Sequence, residues 1–309
     1  MLLALAEGGL KMGTGPHLFP FSSGFAMQIP PLVGPQWLHD NLENPSVQII
    51  ENAWLQDSYF KAHIPGACHV PVHPYLKRFD DAGQRTQHVM AVDEFSALCH
   101  HLGLSSDRHY IVYDDYFGLF AARFRWVCCY YGLTNVSILD GSWRGWIEQD
   151  LPVSSRVEAP ISGSDIDMTC QSSLLIGLEE LLQVYQDPQI QLWDTRRPAE
   201  FSGRERTENL RQGHIPGALN LDWSELLCEA PCEGGARYFK PVAELEAMLS
   251  RLGLSRGKTI VTYCQSGNRA TIGNLVLDLL GYSGHRLYDA SMGEWGNLAT
   301  TPLVIEPEK

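Results

Sequence analysis

The chain has 309 residues, of which 44% are apolar and 19% charged, enough for about two ordinary globular domains. Its formal net charge of −13 at pH 7 argues against a nucleic-acid partner. No apolar run is long enough to span a membrane, and the apolar start lacks the basic residues of a secretory signal, so no membrane association is predicted.

The first segment, residues 1–27, is predicted to be a disordered extension because residues 7–26 are rich in Gly, Pro and Ser. Met27 precedes the first foldable stretch. The sequence leaves open whether the natural start is Met1 or Met27.

Strands alternate with helices along the rest of the chain, which predicts βαβ units and parallel sheets. The predicted strands are residues 47–50, 68–72, 110–114, 136–139, 190–194, 218–221, 259–263 and 286–288, and the predicted helices are residues 37–42, 93–102, 121–131, 178–186, 241–251 and 270–280.

The sequence repeats itself once, at an offset of about 150 residues. A period this long indicates duplicated domains and not a solenoid. The paired segments are His-Ile-Pro-Gly-Ala at 63–67 and 214–218, Leu-Gly-Leu-Ser at 102–105 and 252–255, and the looser pair 139–143 and 288–292.

The predicted fold is therefore α/β, with two tandem domains that each contain a parallel β-sheet flanked by helices. The first domain covers residues 28–151 and the second residues 172–309. Residues 152–171 are rich in Ser, Pro and Gly and are predicted to be the linker. Sites in such folds lie at the carboxyl ends of the strands.

The eight cysteines lie partly inside apolar runs and not at disulfide-framework spacings, which predicts free thiols in a reducing, cytoplasmic setting. Cys228 and Cys232 are interpreted as loop thiols, although their spacing would also suit a pair of zinc ligands. No metal site is predicted.

Cys264 is the candidate nucleophile. It directly follows the predicted strand 259–263 and is followed by a short loop and a helix. Backbone N–H groups and the helix dipole at such a turn favour an anion, so we expect the thiolate of Cys264 to be stabilised. Arg269 adds a permanent positive charge.

The first repeat differs at this point. The residue that aligns with Cys264 is Asp114, and the loop 114–120 is acidic, bulky and one residue longer. A carboxylate cannot accept sulfur and would repel anionic substrates. The first domain is predicted to be catalytically inactive, since its loop offers no cysteine for a second site.

The chain resembles the tandem-domain rhodanese (sulfurtransferase) family over about residues 32–300. The resemblance is carried by both His-Ile-Pro-Gly-Ala turns, the Asp-Thr-Arg segment 194–196 and the cysteine loop. Four residues separate Cys264 from Arg269, whereas cysteine phosphatases have five. The resemblance implies an inert first domain, a catalytic second domain, a persulfide on Cys264 and no other cofactor.

The resemblance also implies roles for other residues. Arg196 matches the family's substrate-facing arginine, Asp194 is expected to be a supporting residue that fixes neighbouring groups by hydrogen bonds, and Glu200 is expected to pair with an arginine. Arg197 is interpreted as a second substrate residue or a surface charge, His214 as a turn-shaping residue, and Trp295 as lining the cleft or packing in the core. The predicted substrate-binding residues are Arg196, Arg269, Gln265, Ser266, Gly267 and Asn268.

The expected reaction moves sulfane sulfur from a small anionic donor, thiosulfate, to cyanide, a thiol or a thioredoxin-like acceptor, in a monomer. A second possible donor is 3-mercaptopyruvate, whose enzymes use a Ser–His–Asp relay. Ser266 and His88 match that relay, but Val-Pro-Val-His stands at 70–73 where its aspartate is expected. The cysteine loop would also suit a persulfide carrier with little turnover of small donors, or a relative of small-loop phosphatases or arsenate reductases.

Overall fold

A computed structural model describes residues 29–159 and 166–305. The predicted disordered extension lies outside these residues, as does the middle of the predicted linker. The strands are β1 (Leu32–Val33), β2 (Val47–Glu51), β3 (Ala67–His69), β4 (Lys77–Phe79), β5 (Arg85–Val89), β6 (His109–Tyr113), β7 (Val136–Leu139), β8 (Ile190–Asp194), β9 (Leu219–Asn220), β10 (Thr259–Tyr263) and β11 (His285–Leu287). The helices are α1 (Pro35–Asp40), α2 (Val92–Leu102), α3 (Leu119–Tyr130), α4 (Ser142–Glu148), α5 (Leu178–Val184), α6 (Pro198–Phe201), α7 (Val242–Leu252), α8 (Asn268–Leu279) and α9 (Ser291–Trp295).

The two parallel sheets share the same order of four strands, and the first sheet has the additional edge strand β1. In the first domain the strand order is β1-β7-β6-β2-β3, and in the second it is β11-β10-β8-β9. The central strands β6 and β10 are buried along almost their whole length, as strands covered on both faces must be. Their carboxyl ends carry Asp114 and Cys264 respectively, which confirms the predicted duplication of an α/β unit.

The repeated motifs have structural causes. Gly103 and Gly253 end α2 and α7 in the left-handed conformation, and each following leucine N–H bonds back to the last helical turn. His214 Nδ1 forms a hydrogen bond with the carbonyl oxygen of Phe201, and the backbone N–H of His214 donates to the carbonyl oxygen of Val304. The interpretation of His214 as a turn-shaping residue therefore agrees with its contacts.

Each predicted strand and helix has a counterpart with somewhat shifted ends, but short elements were missed. The short strand β1, the helices α4, α6 and α9, and the antiparallel hairpin β4–β5 were not predicted. The hairpin is polar and largely exposed, so it has no apolar periodicity by which a sequence pattern could reveal it.

The domains share a continuous apolar core. Helices α3 and α8 pack against each other, and Phe124 of the first domain belongs to the same buried cluster as Ile272 of the second. Trp295 is fully buried and donates its indole N–H to Pro302, so it packs in the core and does not line the cleft.

Each domain also has a segment outside its sheet that contacts the other domain. The hairpin β4–β5 places Gln87 against Gly293 of α9, while Phe239 of the second domain donates its N–H to Asp140 of the first at 2.9 Å. Among the described residues, no helix combines the length and apolar character needed to cross a membrane.

Candidate active site

Cys264 follows β10 directly, and its side chain is buried between that strand and the first turn of α8. Its N–H donates to Ser291 Oγ at 3.0 Å, and its carbonyl accepts from Met292 at 3.1 Å. Ser291 has a positive φ of 57° and donates in turn to the carbonyl of Tyr288. These bonds fix the backbone of the cysteine before any substrate arrives.

Gly267 is the residue that lets the loop close. It precedes α8 with a φ of 81°, in the region that favours glycine. A Cβ on Gly267 would lie 2.6 Å from the carbonyl oxygen of Asp289 and closer still to its Oδ1. The loop therefore rests directly on Asp289.

The first domain contains the same loop with its own anion inside. Asp114 Oδ1 accepts the N–H groups of Tyr116 and Gly118 at 2.8 and 2.9 Å. Its Oδ2 accepts those of Phe120 and Ala121 at 2.7 and 2.9 Å. Burial raises the pKa of Asp114, and these backbone bonds oppose that rise. The Asp114 carboxylate therefore accepts hydrogen bonds from its own loop and does not face a substrate. The expectation that it repels anionic substrates does not agree with these contacts, and the prediction that this loop is inactive depends on its lack of a cysteine.

The second loop offers the equivalent donors to Cys264. By position, Ser266, Gly267, Arg269 and Ala270 correspond to the four residues that bind Asp114. Within the described chain, none of these four N–H groups donates to a protein acceptor. A loop that holds a carboxylate in one domain can hold an anionic sulfur in the other.

Arg269, a predicted substrate-binding residue, forms a bidentate ion pair with Glu200. Its Nη1 and Nη2 lie 2.7 and 2.9 Å from the two carboxylate oxygens. Burial opposes the charge on Glu200, but the guanidinium groups of Arg269 and Arg197 hold the pKa of that carboxyl at about 2. The expected pairing of Glu200 with an arginine is confirmed.

Arg196 is buried and pairs with its own neighbour. Its Nη2 donates to Asp194 Oδ2 at 2.7 Å and to the carbonyl of Gly213 at 2.9 Å. Its pKa is raised, because the Asp194 carboxylate outweighs the burial of the guanidinium. Asp194 thus forms hydrogen bonds with a neighbouring group, and the guanidinium of Arg196 is directed at it. Arg197 is mostly exposed and pairs with Glu200 and Glu205, as a surface charge does.

The remaining loop residues differ in their surroundings. Gln265 exchanges two hydrogen bonds with Asn209, at 2.7 and 3.2 Å. Ser266 is half-buried. Asn268 is buried, and neither polar atom of its side chain has a hydrogen-bond partner among the described residues.

Two residues of the first domain near the loop were missed by sequence reasoning. Lys77 Nζ lies 2.7 Å from Asp289 Oδ1, which also accepts from Arg123 Nη1 at 2.7 Å. The sequence signal that could have indicated this contact was the alignment of Asp289 with Asp140 in the repeat. Each of these two carboxylates accepts hydrogen bonds from the opposite domain.

The Ser–His–Asp relay is not assembled. His88 is exposed on β5, and within the described residues Ser266 Oγ forms no hydrogen bond with a histidine. The eight cysteines, all within the described ranges, are free thiols.

This duplicated α/β fold, with one cysteine-centred anion loop, defines a sulfurtransferase. The chain belongs to the family of the Rhodanese-like domain, whose model matches residues 34–149 and 177–298. The predicted resemblance is confirmed in both halves of the chain.

Known relatives match along nearly their whole length. The chain is 31% identical over 290 residues to 3-mercaptopyruvate sulfurtransferase of Escherichia coli K12, covering 90% of this chain and 98% of that one. It is 29% identical over 278 residues to thiosulfate sulfurtransferase of Azotobacter vinelandii, with the same coverages. The crystal structure of SseA from Escherichia coli, described as a 3-mercaptopyruvate sulfotransferase, superposes with a TM-score of 0.73 at 28% identity over 85% of this chain and 98% of that chain.

Proposed function

We propose that the protein transfers sulfane sulfur from thiosulfate to a thiophilic acceptor through a persulfide on Cys264. The observation that carries this proposal is the correspondence between the two loops. Four N–H groups bind the Asp114 carboxylate in the first domain, and the loop at the same position of the second domain follows Cys264.

The reaction has two balanced steps. The Cys264 thiolate attacks the outer sulfur of thiosulfate, a sulfur–sulfur bond to the cysteine forms, and the bond to the sulfonate sulfur breaks. Sulfite leaves with that electron pair. Cyanide or a thiolate then attacks the outer sulfur of the persulfide and regenerates the Cys264 thiolate. Backbone N–H groups of the loop stabilise the persulfide anion, so no metal or organic cofactor takes part.

Thiosulfate is preferred over 3-mercaptopyruvate because of the groups around the loop. A carboxylate is best recognised by a free arginine fork, but Arg269 already binds Glu200 bidentately and Arg196 is directed at Asp194. The lack of a relay between Ser266 and His88 supports the same choice. Relatives bear both names, so the donor rests on these contacts.

The physiological acceptor is proposed to be a thiol or a thioredoxin-like protein in the cytoplasm, with the enzyme acting as a monomer. Free thiols at exposed positions such as Cys170 and Cys232 support a reducing setting.

The test is the intact mass of the protein after incubation with thiosulfate and, separately, with 3-mercaptopyruvate. We expect one added sulfur atom from thiosulfate, removed by cyanide and absent in Cys264→Ala. Cys232→Ala is the matched control, because it removes an exposed loop thiol and should load like the wild type.

Loading from 3-mercaptopyruvate alone would overturn the choice of donor. Loading from neither would overturn the small-donor function and favour a carrier that receives sulfur from a protein. If Cys264→Ala gained sulfur as the wild type does, the persulfide would have to form on another thiol.

A further inference from the structure

The hairpin β4–β5 of the first domain contacts the second domain through the buried side chain of Lys77. Its Nζ donates to Asp289 Oδ1 at 2.7 Å and to the Asp289 carbonyl oxygen at 3.3 Å. The same ammonium group donates to the carbonyl oxygen of Gln87 at 2.7 Å. A buried charge is tolerated only where such partners are in place. Lys77 therefore joins both strands of the hairpin to the residue on which Gly267 rests.

Gln87 of the same hairpin makes a second contact, with Gly293 in α9. A Cβ on Gly293 would lie 3.0 Å from Cδ and Oε1 of Gln87 and 3.0 Å from the carbonyl oxygen of Gln265. Gly293 also donates its N–H to that carbonyl oxygen at 2.7 Å. Because Gly293 is in close contact on both sides, the Gln87 side chain limits how far Gly293 and the Gln265 carbonyl can move away from the loop.

The two contacts meet the loop one residue and three residues after Cys264, at Gln265 and Gly267. Backbone N–H groups stabilise an anionic sulfur only while they point towards it, and small displacements of a reacting group are costly. The hairpin therefore bears on the part of the loop whose shape matters for the reaction, although neither Lys77 nor Gln87 belongs to that loop.

The second domain makes a corresponding contact with the loop of the first. Phe239 donates its N–H to Asp140 at 2.9 Å, and its ring would lie 3.9 Å from a Cβ on Gly118. Asp140 and Gly118 correspond by position to Asp289 and Gly267. Each domain thus supports the loop of the other, but only the loop of the second domain follows a cysteine.

We propose that Lys77 and Gln87 are positioning residues for sulfur transfer, and that the hairpin β4–β5 holds the Cys264 loop in the shape that stabilises an anionic sulfur. This inference rests on the proposed function. Neither side chain takes part in making or breaking a bond. Both act through residues of the second domain, Lys77 through Asp289 and Gln87 through Gly293.

The experiment measures single-turnover loading of Cys264 by thiosulfate in Gln87→Ala and Lys77→Met. We expect the rate constant at saturating thiosulfate to fall about tenfold in each variant, because the loop is less well positioned. The half-saturating concentration should stay within about twofold of the wild type, since neither side chain is proposed to bind the donor. Gln87→Ala removes no charge, so its effect reports position and not the electrostatic influence of Lys77.

Tyr238→Ala is the matched control. The Tyr238 hydroxyl oxygen would lie 2.7 Å from a Cβ on Gly145 in α4, so this variant loosens the corresponding contact on the first domain. It should lower the melting temperature and still load sulfur like the wild type. Equal slowing in Tyr238→Ala and Gln87→Ala would overturn the proposal, because domain packing in general would then set the rate.

A second readout is the pH midpoint for alkylation of Cys264 by iodoacetamide, which reports the stability of the thiolate. We expect this midpoint to rise in Gln87→Ala and to stay unchanged in Tyr238→Ala. Wild-type loading or an unchanged midpoint in Gln87→Ala would overturn the proposal. If Lys77→Met fails to fold, Gln87→Ala decides alone, because Gln87 is half-buried and uncharged. Failure of the wild type to load thiosulfate would instead overturn the proposed function.

Discussion

Lys77 of the first domain and Asp289 of the second form a buried ion pair, with Nζ and Oδ1 2.7 Å apart. Asp289 supports the backbone of Gly267, so the pair connects the first domain to the Cys264 loop. Arg123 adds a second cation at the same carboxylate oxygen. Burial opposes the charge on Asp289, yet the two cations hold its pKa below the usual range. The first domain thereby contributes to the loop without its own reacting group.

The first prediction concerns the titration of Lys77. Burial lowers its pKa from 10.5 to about 7, although Asp289 opposes this effect. Between about pH 7 and 10.5 the unfolded chain holds a proton on Lys77 that the folded chain has released. Stability contributed by this residue therefore rises with pH across that window. We expect the melting temperature of the wild type, minus that of Lys77→Met, to increase over the same range.

Both proteins in this comparison should carry Cys264→Ser, so that the nearby thiol does not titrate. Lys240→Met is the control, because Lys240 pairs with Glu244 at the surface and its removal should give a difference independent of pH. A flat difference for Lys77→Met as well would mean that Lys77 keeps an ordinary pKa.

The sequence revealed the parts of the site that are local and missed those that cross the domains. Cys264, Gly267 and Arg269 lie within one strand–loop–helix unit, and Asp114 emerged by counting along the repeat. Lys77 meets Asp289 only after both domains fold, and no pattern in the polar hairpin marks it.

The sequence also could not predict which ion-pair partners the side chains of the site would have. The motif 194–196 marked Arg196 as a site residue, but whether a guanidinium faces a substrate or its own neighbour depends on side-chain geometry. Here Asp194, two residues earlier, accepts it. The burial of Trp295 is of the same kind, because an indole beside a cleft and one beneath it have the same sequence context.

The second prediction tests the loop of the first domain. In Asp114→Asn, an amide nitrogen replaces one carboxylate oxygen and faces two backbone N–H groups. In the wild type that oxygen accepts hydrogen bonds from both. Each unsatisfied buried donor is destabilising by roughly 1–3 kcal/mol, so we expect a loss of at least about 2 kcal/mol of stability. Thermal unfolding measures this loss, and Asp81→Asn on the exposed hairpin turn is the control. A variant as stable as the wild type would show that the N–H groups do not depend on the charge.

The third prediction concerns acid. The pKa of Glu200 is held at about 2, below its ordinary value of 4.5. Because the folded pKa is depressed, the stability from this carboxylate is complete above pH 4.5 and is lost as the pH falls towards 2. We expect the stability advantage of the wild type over Glu200→Gln to shrink across this window in thermal melts.

The surface pair of Glu180 with Arg286 provides the control for this acid effect. Glu180→Gln should give a much smaller change because about half of the Glu180 side chain is exposed. Equal pH dependence in both variants would contradict the assignment of the effect to the buried pair of Glu200 and Arg269.

The fourth prediction isolates the close contact under the catalytic loop. Gly267 and Gly217 both have a φ of 81°, but a Cβ on Gly217 would meet nothing within 4 Å, whereas one on Gly267 would run into Asp289. Gly217→Ala should therefore be destabilising by about 1 kcal/mol from backbone strain alone and should load sulfur normally. Gly267→Ala must displace either the loop or Asp289, so we expect a larger drop in melting temperature and sulfur loading at least about tenfold slower. Thermal melts and single-turnover loading by thiosulfate, measured side by side, decide the matter. Equal losses of stability with wild-type loading in both variants would mean that the loop can shift away from Asp289 without harm. The contacts of Lys77 and Arg123 with the Asp289 carboxylate would then not determine the position of Cys264.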